Sequence, residues 1–370
     1  MQHMPKKIKV ILFHVRSLVY KIKDPLITSK QQSILKESLD ADIKSMIIFL
    51  TPGFDTVNGG VLSIYSLYSE TKKLKDVHES EVIMCTLPGE PSILKYTHFE
   101  NDANLFKFTI VLEYFKHLKS LTIHIPEYAV PYFIRNISKR DKIRLRSIPN
   151  VHYNIMLQNI WLMCDVREVK KLQSLGGVTC TTAHERYCTL ANRKKYDIPF
   201  HLLSTFVSPE LYTKKGLNEK EDLMIISPDP YSEKDKIIKS IEKNFPGMKL
   251  QIIRNINYDD YKKLISNAKW ALTFGEGLDG YFIETIFSGG ISFAVYNEDF
   301  FTPNFKGLKT VYMNYEELKE RIIMDIKDLE DEKKYYEYQK KLFNILTQKY
   351  NYKRYLENLE SFYRYDYTLP

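Results

Sequence analysis

The sequence predicts an α/β protein made of two successive parallel-sheet halves and a helical C-terminus. Three observations predict it. Short apolar runs alternate with segments of helical periodicity along most of the chain. The 370 residues suffice for two domains at roughly 100–200 residues each. The chain has only 14 glycines, and five of them fall between positions 275 and 290, a concentration expected where backbone turns tightly or approaches a ligand. Hydrophobic residues at 44% and aromatic residues at 13% supply the apolar surface that two cores require and exclude global disorder. No uncharged apolar stretch of about 18 residues occurs, so no membrane span is expected. The 54 Lys and Arg against 46 Asp and Glu leave a net charge of +8. That excess favours anionic partners without choosing among phosphates, lipid headgroups and nucleic acid.

Taken in order, Met46–Leu50 reads as a buried strand. The turn-rich stretch Gly53–Gly60 follows, and a helix from Val61 to about Lys75 with Leu62, Tyr65, Tyr68 and Leu74 at helical spacing. Glu81–Leu87 is the next strand, which completes a βαβ unit. Leu121–Ile125, Val151–Leu157 and Thr179–Thr182 read as strands, and Val166–Ser174 and His184–Lys195 as helices. Ile198–Tyr212 has little periodicity and two prolines, and is the expected crossing between domains. The second half alternates again. Strands are expected at Leu223–Ile226, Lys249–Ile253, Trp270–Phe274 and Ile291–Val295, and helices at Lys234–Asn244, Tyr258–Asn267 and Phe282–Ser288. Tyr315–Tyr363 reads as long charged helices with one apolar face.

Cys85, Cys164, Cys180 and Cys188 show neither zinc-site nor disulfide-framework spacing, and are expected as reduced thiols in a cytoplasmic protein. The first forty residues hold eight Lys and Arg against three acids, and the apolar run Ile8–Tyr20 is interrupted by Lys9, His14 and Arg16. That is not the pattern of a secretory signal. It fits either a basic amphipathic element on an anionic membrane or an element packed on the domain with a solvated face.

The glycine-rich segment follows a predicted strand and opens a predicted helix: Phe274-Gly275-Glu276-Gly277-Leu278-Asp279-Gly280. A strand, a glycine turn and a helix N-terminus present free amides to a phosphate, and a plain strand-to-helix turn has the same sequence appearance. Glu276 in the loop and Glu284 on the helix are separated by seven residues. One carboxylate can accept hydrogen bonds from sugar hydroxyls and the other from a ribose diol. The alternative is that Glu276 only favours the helix start and Glu284 is a solvated helix residue.

The run from Glu276 through Glu284, followed by Thr-Ile-Phe-Ser-Gly289-Gly290-Ile-Ser-Phe-Ala294, resembles the E-x7-E signature of retaining GT-B glycosyltransferases of the family-four type. Tyr258–Trp270 resembles the helix that precedes this motif, and Asn58-Gly59-Gly60-Val61 the glycine loop of the N-terminal half. The resemblance implies two Rossmann-like domains facing a cleft, with C-terminal helices crossing back. Residues 1–205 would form the acceptor-side domain, 206–345 the nucleotide-sugar domain, and 346–370 the returning helix. It implies retaining, metal-independent hexosyl transfer with no cofactor beyond the nucleotide-sugar co-substrate. Glu284 would hold ribose, Glu276 the donor sugar, and Gly277, Leu278, Asp279, Gly280, Gly59 and Gly60 the phosphates. Two positions depart from the pattern: Asp279 stands where the family has a second glycine, and Asp229 stands near the position of its arginine. Lys234, Lys236 or Arg254 would then balance the diphosphate charge. A divergent donor and an inactive descendant both fit that substitution.

On the acceptor side, His124 and Glu127 lie at the end of a predicted strand, and either face the cleft or, for His124, sit in the core. Gln158, Asn159 and His184 occupy similar strand-end positions. Ile134–Ser147 contains Arg135, Lys139, Arg140, Lys142, Arg144 and Arg146 against Asp141 alone. That run fits an anionic acceptor, an anionic membrane surface or a solvated basic helix. It has no aromatic residue to stack on bases, which speaks against nucleic acid. Three functions compete: transfer of a sugar to a glycan or lipid-linked acceptor in surface-polysaccharide synthesis, isomerisation or hydrolysis of a nucleotide sugar on the same fold, and a non-catalytic glycan-binding relative. The first two differ in whether nucleotide release depends on an acceptor.

Overall fold

The computed structural model describes residues 24–204, 207–254 and 256–370. The expected element at Ile8–Tyr20 and the expected domain boundary at 205–206 lie outside the described residues. The chain divides into two compact units. One ends at Ser204 and also contains Leu356–Pro370, and the other continues to Tyr355.

The first unit is built on a seven-stranded parallel sheet: β1 (Ser45–Thr51), β2 (Glu81–Thr86), β3 (Leu105–Lys107), β4 (Ser120–Pro126), β5 (Asn150–Leu157), β6 (Gly177–Thr182) and β7 (Phe200–Leu202). The spatial order is β3-β2-β1-β4-β5-β6-β7. Its helices are α1 (24–38), α2 (Gly59–Lys73), α3 (Lys75–His78), α4 (Phe108–Tyr114), α5 (Val130–Asn136), α6 (Lys139–Arg146), α7 (Val166–Gln173) and α8 (Leu190–Tyr196). The strands are near-continuous apolar runs because helices cover both faces of a parallel sheet. Phe49, Leu50, Ile123, Ile125 and Ile155 are fully buried in this core, each contributing roughly 1.5–3 kcal/mol by burial.

The second unit has a five-stranded parallel sheet: β8 (Glu221–Ile226), β9 (Lys249–Ile252), β10 (Ala268–Leu272), β11 (Ile291–Val295) and β12 (Val311–Tyr312), in the order β12-β11-β10-β8-β9. Around it lie α9 (Lys234–Asn244), α10 (Tyr258–Asn267), α11 (Gly280–Phe287), α12 (Tyr315–Leu329) and α13 (Glu332–Lys349), and α14 (Tyr352–Tyr363) follows. Leu272, Phe282, Ile286, Phe287 and Phe293 are fully buried at its centre. Lys220 joins three element ends: its Nζ donates to the carbonyls of Ser266, Ala268 and Ser288 at 2.8, 3.1 and 2.9 Å.

Strand order reverses between β1 and β4 in the first sheet and between β8 and β10 in the second. In an open parallel sheet, the crevice beyond the carboxyl ends at such a reversal is where ligands bind. Thr51 and Pro126 end the first pair of strands, and Ile226 and Leu272 the second.

The expected helix His184–Lys195 is shorter. It begins at Leu190 because Thr189 caps it, accepting from the Asn192 amide at 3.2 Å, and residues 184–188 form turns instead. The expected crossing Ile198–Tyr212 contains β7, whose Phe200 exchanges two 2.9 Å backbone hydrogen bonds with Leu369. That partner lies far along the chain, so local periodicity carries no sign of it.

Candidate active site

The second unit brings two loops together at its strand reversal. The buried Ser227 that follows β8 accepts from the Phe274 amide at 3.0 Å, which ties the loop after β8 to the loop after β10. Thr273 Oγ1 donates to the Gly277 carbonyl at 3.0 Å and folds the second loop back on itself. Gly275 and Gly277 have φ of +74° and +77°, where a β-carbon is strained. At Gly277 that carbon would also stand 2.7 Å from the Val295 carbonyl and the Phe301 ring. Gly277 and Leu278 are buried, Glu276 is half-buried, and Gly280 is exposed.

Asp279 caps α11, accepting from the Phe282 amide at 3.0 Å. An acid at this position satisfies one of the amides that a helix start leaves unpaired. The Gly280 and Tyr281 amides are the first two of the helix and have no carbonyl within it to bond. Burial and the nearby Asp229, Glu276 and Glu284 push the Asp279 carboxyl well above its ordinary range.

Glu284 points inward from the second turn of α11 and is 9% exposed. It is therefore not a solvated helix residue. Its Oε1 lies 3.5 Å from Tyr258 Oη, which in turn lies 3.2 Å from Tyr212 Oη. Glu284 Oε2 and Tyr261 Oη are buried without a hydrogen-bond partner. Burial pushes the Glu284 carboxyl up to about 7, against the opposing pull of the hydroxyls of Tyr212, Tyr261 and Tyr258 and the charge of Lys262. A β-carbon at Gly280 would sit 3.3 Å from Glu284 Oε1. Glycine there leaves open the space beside the carboxylate.

The cations divide by what already holds them. Lys234, only 7% exposed, donates to the Ser227 and Asp229 carbonyls, the second at 3.0 Å, and lies 5.0 Å over the Phe274 ring. Burial lowers its pKa. Lys236 is paired with Glu233 at 2.6 Å. Arg254, just past β9, is exposed and close enough to Lys234 to disfavour its charge. Beside the loops, Tyr231 stacks on Tyr315 at 3.8 Å, and both rings stack on Phe274 at about 6 Å (5.9 and 6.0 Å). The sequence reading missed Tyr212, Tyr258, Tyr261, Tyr231 and Tyr315. Only Tyr258 and Tyr261, three apart at the start of α10, carry a local signal of a shared face. The other three come from distant parts of the chain.

In the first unit, the strand-end residues gather at the carboxyl edge of the sheet. Gly59 and Gly60 open α2, whose cap Asn58 accepts from the Val61 amide at 3.0 Å. A β-carbon at Gly60 would lie 3.4 Å from Gln158 Oε1, so the Gln158 side chain reaches this helix start. Glu127, 2% exposed, accepts from the Asn159 amide at 2.9 Å, and Asn159 Oδ1 accepts from the Trp161 amide at 2.9 Å. His184 is half-buried, its amide donating to Thr182 Oγ1 at 3.3 Å and its ring edge-on to Tyr187.

His124 requires a correction. It is fully buried, stacked on Phe49 at 4.2 Å, with Nδ1 3.0 Å from Asn154 Nδ2 and Nε2 3.0 Å from Tyr363 Oη. Burial, with a smaller contribution from His152 and His78, pushes its pKa down to about 3. Both ring nitrogens are engaged, so of the two placements the sequence left open His124 takes the core. Lys234, one of the three cations expected to balance the diphosphate charge, pins the loop that carries Asp229.

No protein-family model matches the chain, and no curated protein sequence matches it. Solved structures do. The chain is similar to TarM, with a TM-score of 0.54 and 10% identity over 87% of this chain and 100% of that chain. It is similar to sucrose-phosphate synthase (tll1590) from Thermosynechococcus elongatus, with a TM-score of 0.52 and 10% identity over 87% of this chain and 99% of that one. A third is Anabaena Alr3699/HepE in complex with UDP and glucose, with a TM-score of 0.50 and 10% identity over 87% and 98%. At this identity the likeness is one of architecture: the chain has the two Rossmann-like α/β domains of the GT-B fold.

Proposed function

We propose that the protein is a glycosyltransferase that binds a nucleotide-sugar donor at the strand reversal of its second unit and transfers the sugar, with retention, to a glycan or lipid-linked acceptor. One observation carries the reading. Glu284 is a carboxyl only 9% exposed, set among the hydroxyls of Tyr212, Tyr258 and Tyr261 and beside a glycine whose missing β-carbon leaves space there. A buried carboxylate is costly unless enough groups donate to it, and a vicinal diol donates well. HepE, whose structure is a complex with UDP and glucose, supports the same ligand class.

The remaining roles follow from what already holds each group and what surrounds it. Glu276, on the loop before α11, receives hydroxyls of the donor sugar. The Gly280 and Tyr281 amides and the α11 dipole receive the diphosphate. Lys234 and Lys236 are held by other partners, so Arg254 is the cation assigned to the departing diphosphate. The ring pair Tyr231 and Tyr315 offers a stacking face for a planar base.

A panel of nucleotide sugars tested by thermal stabilisation, followed by an assay of acceptor-dependent nucleotide release, checks this reading. A donor that raises the melting temperature should lose at least tenfold in affinity with Glu284→Gln, about 1.4 kcal/mol. Arg254→Ala should lower turnover more than donor affinity. Nucleotide release without an acceptor would favour the isomerase or hydrolase alternative. Absence of donor binding by a folded protein would end the proposal.

A further inference from the structure

The basic run of the first unit forms a surface with a defined outward face. In α6, Asp141 and Leu145 are buried at 2% and 0% exposure, one turn apart. The run's only acid is thus turned inward, where its Oδ2 accepts from Ser138 Oγ at 2.8 Å. The opposite face presents the adjacent Lys139 and Arg140, then Ile143 and Arg146 at three-residue steps. Ile143 is 68% exposed, with cations one turn before and one turn after it. Arg144 donates to the Phe115 carbonyl at 2.7 Å, which brings Lys116, His117 and Lys119, all exposed, alongside the helix. The acids facing this patch are Glu113, held by Arg140 at 2.7 Å, and Asp42, 3.8 Å from His117.

We propose that the outward face of α6 docks the protein on an anionic lipid surface, its Lys and Arg on headgroup phosphates and Ile143 at the headgroup boundary. Charge complementarity selects an anionic partner. An aliphatic side chain held outward inside a ring of cations suits a lipid interface. Residues 135–146 include no aromatic side chain of the kind single-stranded nucleic acid stacks on. The inference is independent of the donor reading.

Vesicle co-sedimentation of the full chain tests it, with phosphatidylcholine alone and phosphatidylcholine mixed with phosphatidylserine. The wild type should bind only the mixed vesicles, and less as salt rises. At about fivefold per basic residue, loss of three cations alone accounts for about a hundredfold, and their reversal (Lys139→Glu, Arg140→Glu, Arg146→Glu) should lower partitioning by at least that much. Ile143→Ser should lower it about threefold or more with no change of charge. Both variants alter exposed positions and should keep the wild-type melting temperature. A single-stranded RNA oligonucleotide serves as the competing polyanion. Three results would each overturn the proposal: equal binding to neutral vesicles, vesicle binding that survives the charge reversal, and RNA binding without vesicle binding.

Discussion

At the scale of single residues, Glu284 and His124 are buried ionisable groups with opposite consequences. The folded pKa of Glu284, about 7, lies above its ordinary 4.5, so the folded state binds the extra proton. Its contribution to stability is present below about pH 4.5 and is lost as pH rises through about 7. Glu284→Gln should therefore remove a loss of stability on the order of 3 kcal/mol between those limits, visible as a flatter pH profile in denaturant melts. His124 behaves the other way. Its folded pKa is about 3 and that of His152 about 4, both below the ordinary 6.5. Their contribution is present above about pH 6.5 and is lost as pH falls through about 4 and then 3. His124→Ala should cost about 2–4 kcal/mol, since it leaves a cavity and orphans Asn154 and Tyr363. A variant of unchanged stability and abolished turnover would make His124 catalytic after all. The sequence left His124 open between core and site. A strand residue near the carboxyl edge can face either, and the partner that seals it, Tyr363, comes from the other end of the chain.

At the scale of elements, the sheet strands and the α9–α11 helices were legible because apolar runs and 3.6-residue periodicity are local properties. The Asn58 and Asp279 caps fall at the ends of legible turns. Three-residue strands such as β3 and β7 were not legible, because pairing with a neighbour defines them more than their own composition does. The start of α8 was misread because apolar spacing alone does not locate a cap. The loop glycines were legible as a cluster, but their separate tasks were not. Gly277 serves a strained turn packed on Val295 and Phe301, and Gly280 leaves open the space beside Glu284. The two should separate experimentally. Gly277→Val should destabilise the second unit by at least about 1–3 kcal/mol. Gly280→Val should leave the melting temperature near that of the wild type and weaken donor binding tenfold or more. Loss of binding and of stability together at Gly280 would mean that its role is structural. Lys220, held by three carbonyls, belongs with Gly277: Lys220→Met should unfold the second unit more readily, because it leaves buried acceptors unpaired.

At the scale of the whole molecule, two parallel sheets of different strand order each carry one reversal: Gly59 and Gly60 follow β1 and Glu127 follows β4 at the first, and Glu276 and Glu284 follow β10 at the second. Alternation of strands and helices made the fold class legible. The spacing of Glu276 and Glu284 was legible, whereas the tyrosines around Glu284 and the engagement of Lys234 depend on contacts between distant segments. Asp279 serves as the cap of α11, which gives an acid a structural reason to stand at that helix start. The central claim is that Glu284 receives hydrogen bonds from the donor's hydroxyls. Such bonds favour the ionised carboxylate and draw its pKa below about 7. Calorimetric titration of a stabilising nucleotide sugar near pH 6.5, in two buffers of different ionisation enthalpy, measures this directly. Binding to the wild type should release a fraction of a proton, and Glu284→Gln should show neither that release nor the full affinity. Equal affinity in the two proteins with no proton release would contradict it.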